Sequence, residues 1–125
     1  MEAYRTSPES LELHKLLREM VDTGIEYVVM EVSSQALKVG RVDGMIFDYG
    51  IFTNMEPDHI GPNEHASFEE YAACKGMLFK QCKVGIANAD DENFEMVMKD
   101  HTCTMETIGL LSCFILSLLY CKLKL

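Results

Sequence analysis

The chain has no tryptophan, only three prolines among 125 residues, and no stretch dominated by glycine, serine or proline. Low-complexity linkers and fibrous repeats are therefore excluded. Basic residues are scarce too. Eleven Lys and Arg stand against twenty Asp and Glu, a net charge of −9, and the basic residues form no cluster. Grouped cations are what grip a phosphate backbone, so nucleic acid is excluded as the main partner. The five cysteines, Cys74, Cys82, Cys103, Cys113 and Cys121, include no C-x-x-C pair. An odd, unpatterned set reads as reduced thiols of a cytoplasmic protein, and the first ten residues hold no apolar run that would serve as an export signal. A Gly-Lys-Thr or Gly-Lys-Ser loop is also missing. Without it, the usual backbone cradle for nucleoside triphosphate phosphates is lacking.

What is present suffices for one domain with a real core: about half the residues are apolar and a quarter charged. Residues 7–23 read as a helix capped by Ser7, with Pro8 in its first turn, Glu9 at its positive end, and Leu13, Leu16, Leu17, Met20 and Val21 at helical spacing. Gly24 supplies the stop. Residues 27–32, Tyr-Val-Val-Met-Glu-Val, read as a strand buried on both faces. A polar loop at 38–44 leads to a second strand over 46–54. Ser67-Phe68-Glu69-Glu70 has the form of a capping box opening a second helix, whose inward side chains include Tyr71, Cys74 or Lys75, Leu78 and Phe79. A third strand follows over 84–88. The order helix–strand–strand–helix–strand predicts an α/β fold with a mostly parallel, doubly wound sheet that is incomplete, because two helices are few for covering both faces. Residues 108–120 turn abruptly apolar, and the first 110 residues hold every acid and all but two of the bases. A helix of that length reaches roughly 20 Å against a ~30 Å hydrocarbon core, which argues against a membrane span.

Three places carry candidate chemistry. Ligands in open α/β sheets bind beyond the carboxyl ends of strands, where Glu31 and Ser33-Ser34 emerge. An ordinary solvated strand-end Glu fits the same string. Asp58, His59 and His65 sit in a loop after the second strand, where with Glu31 they could form a metal site or be merely solvated. Lys75 lies among small and apolar neighbours. It reads either as a lysine with its stem on the core or as a desolvated, reactive amine.

The strings Met30-Glu31-Val32-Ser33-Ser34, Gly40-Arg41-Val42-Asp43-Gly44, Thr53-Asn54 with Asp58-His59, Tyr71-Ala72-Ala73-Cys74-Lys75 and Asn88-Ala89-Asp90-Asp91 occur in this order. Together they closely resemble the central domain of the Mur ligases, within the branch that adds the third amino acid to UDP-N-acetylmuramoyl-dipeptide. The resemblance assigns residues 1–105 to a partial central domain and leaves 106–125 as an apolar tail. It implies ATP as co-substrate and Mg²⁺ as cofactor, with an acyl phosphate captured by the amine of an incoming amino acid. It implies Glu31 and His59 as metal ligands and Lys75 as a carbamylated lysine that also meets the metal. Thr6, Ser7, Ser33 and Arg41 match substrate-contacting positions, Arg41 by its bidentate guanidinium. Asn88, Asp90 and Asp91 match a family string with a weaker link to the site. Lacking the phosphate loop, the chain is expected not to complete a catalytic cycle alone. Two other readings stand beside this one, a non-catalytic or partner-dependent fragment and a metal-dependent hydrolase using Glu31, Asp58, His59 and His65.

Overall fold

A computed structural model describes residues 7–57, 60–62 and 64–110. In chain order these form α1 (Ser10–Asp22), α2 (Ser34–Lys38), β1 (Phe47–Phe52), α3 (Phe68–Gly76), a 3-10 turn (Met77–Lys80), β2 (Cys82–Asn88), α4 (Phe94–Met98) and β3 (Thr104–Ile108). The three strands are parallel in the order β1-β2-β3, with Tyr49 opposite Val84 and Val84 opposite Thr104. Each parallel step requires a crossover, supplied by α3 between β1 and β2 and by α4 between β2 and β3. The expected α/β class with a parallel sheet is the observed one.

The first helix begins later than its sequence suggests. Its N-cap is Glu9, which makes no side-chain cap bond, because the Ser7 hydroxyl is engaged elsewhere. Its end is as expected. Gly24 takes a positive φ of 82° and donates its N–H to the Val21 carbonyl, closing the helix in the left-handed conformation that glycine adopts most readily.

Residues 27–32 depart from the expected strand. They carry no strand pairing, and they are not buried on both faces: Val29 is 66% and Tyr27 48% exposed, while Val28, Met30 and Val32 pack against the core. The side chains thus alternate as along an extended chain, but no neighbouring strand holds the backbone. The expected loop is observed as turns over 39–44, but just before it Ser33 caps a short helix, α2, absent from the sequence expectation, with its hydroxyl accepting from the Ala36 N–H at 3.1 Å.

The Ser67 box is half formed. Ser67 Oγ accepts from the Glu70 N–H at 3.1 Å, but the Glu70 carboxylate takes the Ala66 N–H, at 2.6 Å, and not that of Ser67. It also meets Lys38 Nζ at 2.9 Å, tying α3 to α2. Tyr71, Cys74 and Phe79 point inward as expected. Phe79 and Phe47 are almost fully buried, each stabilising the fold by roughly 1.5–3 kcal/mol relative to exposure. α3 ends against α4, where a Cβ at Gly76 would stand 2.5 Å from the Val97 carbonyl oxygen. β3 extends the sheet by a strand absent from the sequence expectation.

Candidate active site

A cavity of about 740 Å³ runs along β1 and past its carboxyl end. Residues 28–35 form one wall and 47, 49–54 the other, while Tyr71, Lys75 and Leu78 reach in from α3 and the turn after it. Among the described residues β1 stands at the sheet edge, and the 27–32 segment, which belongs to no strand, lies across from it.

Lys75 is the one lysine in this lining, and it is half-buried. Burial lowers its pKa below the ordinary 10.5, opposed by the carboxylates of Glu31 and then Asp91, which favour the charged form. Its amine lies 5.1 Å from the centroid of the Tyr71 ring. That ring stacks on His65 at 5.1 Å, and His65 Nε2 shares a 2.8 Å hydrogen bond with Ser34 Oγ. The lysine is thus backed by a buried chain of side chains leading to α2. Its neighbour Cys74 faces the core instead. Burial foremost, then the nearby Glu70 charge, pushes its thiol up, which disfavours the nucleophilic thiolate.

Glu31 and Ser33 line the same cavity as Lys75, Glu31 exposed and Ser33 with its hydroxyl committed to capping α2. Ser7 lies beneath them, 1% exposed, its hydroxyl donating to the Glu31 carbonyl at 3.3 Å and accepting from the Ser33 N–H at 3.4 Å. Arg41 is not part of the lining. It is buried beside α1, its guanidinium 2.9 Å from Glu9 and its Nε without a hydrogen-bond partner among the described residues. Asn88, Asp90 and Asp91 knit the strand ends together. Asn88 donates to the Thr53 carbonyl at 2.9 Å, Asp91 accepts from the Met55 N–H at 3.0 Å, and Asp90 accepts from the Leu110 N–H. Thr6, Asp58 and His59 lie outside the described residues. His65 is buried, 1% exposed.

Tyr71, Ser34 and Asn93 had no assigned role in the sequence reading. Tyr71 was accessible to it: the Ser67 cap starts a helix in which 71 and 75 fall one turn apart on one face. Asn93, which donates to the Met55 carbonyl at 3.1 Å from a buried position, gave no signal.

The profile of the Mur ligase middle domain matches residues 2–112. A UDP-N-acetylmuramyl-tripeptide synthetase of Latilactobacillus sakei is 48% identical over 101 residues, covering 81% of this chain and 20% of that protein. A UDP-N-acetylmuramoyl-L-alanyl-D-glutamate--2,6-diaminopimelate ligase of Clostridium acetobutylicum is 48% identical over 110 residues, 88% of this chain and 22% of its own. A corresponding L-lysine ligase of Streptococcus mutans is 47% identical over 92 residues, 74% of this chain and 19% of its own. Among solved structures, a UDP-N-acetylmuramoyl-L-alanyl-D-glutamate--2,6-diaminopimelate ligase superposes with a TM-score of 0.74 at 27% identity, over 84% of this chain and 22% of that one. The chain belongs to the Mur ligase family, and it spans about a fifth of the length of these relatives.

That membership raises the question of Mg²⁺. Among the described residues no three His, Cys, Asp or Glu side chains gather as a metal cluster. Mg²⁺ does not need one. It keeps several waters and is held through one or two carboxylates together with substrate phosphates. Glu31, an exposed carboxylate at the cavity wall, fits that sparse donor set. Among the described residues no helix is long and apolar enough to cross a membrane.

Proposed function

We propose that this chain forms the metal-side and muramoyl-side part of an ATP-dependent, ADP-forming ligase that adds the third amino acid to UDP-N-acetylmuramoyl-dipeptide. In this reading the dipeptide's terminal carboxylate attacks the γ-phosphate of ATP, ADP leaves, and the amino acid's amine displaces phosphate from the acyl phosphate. Glu31 and His59 hold Mg²⁺. Lys75, deprotonated, adds CO₂ through its Nζ, loses a proton, and becomes a carbamate that gives a further oxygen donor. When bound, Mg²⁺ neutralises the charge that develops on the transferred phosphoryl group. Ser33, Arg41, Thr6 and Ser7 orient the UDP-linked substrate, Arg41 after giving up Glu9.

The observation that carries this reading is Lys75. It is a half-buried amine with its pKa lowered by desolvation, in a cavity along β1 that it shares with Glu31. An amine reacts with CO₂ only when neutral, so a lowered pKa enlarges the reactive fraction.

The relatives' names bear on specificity. Proteins named for 2,6-diaminopimelate and for L-lysine match this segment at 48% and 47% identity. Such even similarity supports a choice of amino acid made by residues outside it. The chain has no Gly-Lys-Thr or Gly-Lys-Ser string, so ADP formation needs a phosphate cradle from elsewhere.

A chimera tests the proposal: residues 7–110 replace the matching segment of the Latilactobacillus sakei relative. ADP release that requires both UDP-muramoyl-dipeptide and an amino acid is the expected result, lost on Lys75→Ala and partly restored by added short carboxylic acids. A folded chimera that releases no ADP, or one in which Lys75→Ala is fully active, overturns it.

A further inference from the structure

The loop after β2 grips one wall of the cavity from behind. Asn88 donates to the Thr53 carbonyl at 2.9 Å. Asp91 accepts from the Met55 N–H at 3.0 Å, and the Asn93 carboxamide donates to the Met55 carbonyl at 3.1 Å. Both backbone groups of one residue are thus engaged by side chains 36 and 38 residues further on. The Asn93 N–H in turn donates to Asp91 at 2.8 Å, which closes a ring of bonds around Met55. Met55 and Asn93 are both buried, and Thr53 and Asn54, just ahead of Met55, line the cavity into which Lys75 reaches.

Asn93 does not do what its position suggests. It is the N-cap of α4, where asparagine is favoured because its side-chain oxygen can accept from the helix's own first N–H groups, yet it makes no such bond. Its side chain is committed to Met55 instead. One turn on, Val97 donates its N–H to the Asn93 carbonyl at 3.0 Å. The Val97 carbonyl oxygen stands where a Cβ on Gly76, the neighbour of Lys75, would meet it at 2.5 Å. α4 therefore holds the cavity wall at its first turn and abuts the end of α3 at its next. The second contact is backbone against backbone, so it has no side chain that could yield.

We infer that Asn93 is a positioning residue: by tying Met55 to the start of α4, it sets the span of the cavity between the Thr53–Asn54 wall and Lys75. It acts through the fold and not on a ligand. The Asp91 carboxylate, fixed by the Met55 and Asn93 N–H groups, is near enough to Lys75 for its charge to favour the charged amine, which places this clip beside the lysine. The inference rests on the ligase reading only for its kinetic consequence, since the bracing can be measured without the reaction.

Residue-resolved hydrogen exchange on the intact chain is the first test. Asn93→Gly keeps a residue that an N-cap tolerates and deletes the donor to Met55. Exchange should speed at least about tenfold at Met55 and also at 75–77, while α1 keeps its protection. Faster exchange at Met55 and 94–98 with none at 75–77 means a local bond only, and overturns the inference. Ser67→Ala, which loosens the other end of α3, should leave Met55 protected; equal acceleration at Met55 would mean general loosening and would also overturn it. If Asn93→Gly unfolds the chain, Asn93→Asp keeps the length and the cap, replaces the donor by an acceptor, and is read in the same way. In the active chimera, Asn93→Gly should lower kcat about tenfold with KM for the UDP-linked substrate within about twofold, the signature of misplacement and not of lost binding. Unchanged kcat overturns the inference. A chimera that releases no ADP with Asn93 intact defeats the ligase reading, and the exchange result then decides the bracing by itself.

Discussion

Lys75 holds its amine 5.1 Å from the centroid of the Tyr71 ring, one helical turn earlier on α3. The contact works against the desolvation that lowers the lysine's pKa, because a ring face favours the charged amine, by roughly 0.5–2 kcal/mol depending on desolvation. Replacing Tyr71 by Leu removes that attraction and is expected to lower the Lys75 titration midpoint further. Heteronuclear NMR of ¹⁵N-lysine side chains checks this, and an unchanged or raised midpoint would contradict it.

The same shift has a sign in stability. A lysine whose pKa is lower in the folded state than in the unfolded one makes the unfolded chain bind more protons between the two values. Stability at this site therefore rises with pH through that interval, up to about 10.5. Lys75→Met removes the titration, so the wild-type minus Lys75→Met difference in urea midpoint should grow more favourable to wild type from pH 7 to pH 10. A flat difference would count against a desolvated lysine.

Gly76 and Gly44 separate two reasons for glycine. At Gly76 a Cβ would lie 2.5 Å from the Val97 carbonyl oxygen, a backbone atom that cannot turn aside, so Gly76→Ala must push α4 away from α3. Overpacking of this kind costs typically 1–3 kcal/mol. At Gly44 there is open space, but φ is +79°, so Gly44→Ala costs only left-handed strain, about 1–2 kcal/mol. Hydrogen exchange distinguishes them: Gly76→Ala should loosen 94–98 specifically, and Gly44→Ala should leave that helix as it was.

Local signals made part of this structure legible. The Ser67 cap, the Gly24 stop and the third strand, which became β2, each depend on neighbours a few residues away, and each is observed. Residues 27–32 misled because their composition is that of a buried strand, whereas strand formation needs a partner backbone, which composition cannot report. Ser7 misled for a related reason: a serine before Pro8 fits a cap, but its hydroxyl found Glu31 and Ser33, more than twenty residues away. At the site, Glu31 was expected at a strand end and Lys75 near a helix start; the structure brings both to one cavity, but from an extended segment without strand pairing and from the last turn of α3. The buried route from Lys75 through Tyr71 and His65 to Ser34 was not, because it joins three separate segments.

Glu70 links two devices that acid should undo together. Its carboxylate accepts the Ala66 N–H and pairs with Lys38, and these interactions hold its pKa below the ordinary 4.5. A carboxyl with a depressed folded pKa stabilises the fold above its unfolded value, and that contribution disappears as pH falls through the folded pKa. Glu70→Gln should thus lower stability at pH 7 and have no effect at pH 2, as judged by urea midpoints. Ser67→Ala removes the cap to the Glu70 N–H and should cost about 1 kcal/mol at both pH values. Loss of equal size at both pH values for Glu70→Gln would mean its charge is irrelevant.

Ser7 offers a choice between two roles with opposite signatures. Resemblance makes it a substrate contact, yet it is 1% exposed and its hydroxyl already joins the Glu31 carbonyl to the Ser33 N–H. If joining those segments is its work, Ser7→Ala leaves two backbone groups unpaired and should destabilise the chain by roughly 1–3 kcal/mol. In the active chimera it should then lower kcat by misplacing Glu31, with little change in KM for the UDP-linked substrate. If it instead grips substrate, KM should rise while the urea midpoint stays put. The geometry favours the first outcome, because a buried hydroxyl that bridges residues 31 and 33 fixes the carboxylate without touching the ligand. A raised KM at unchanged stability would overturn that assignment.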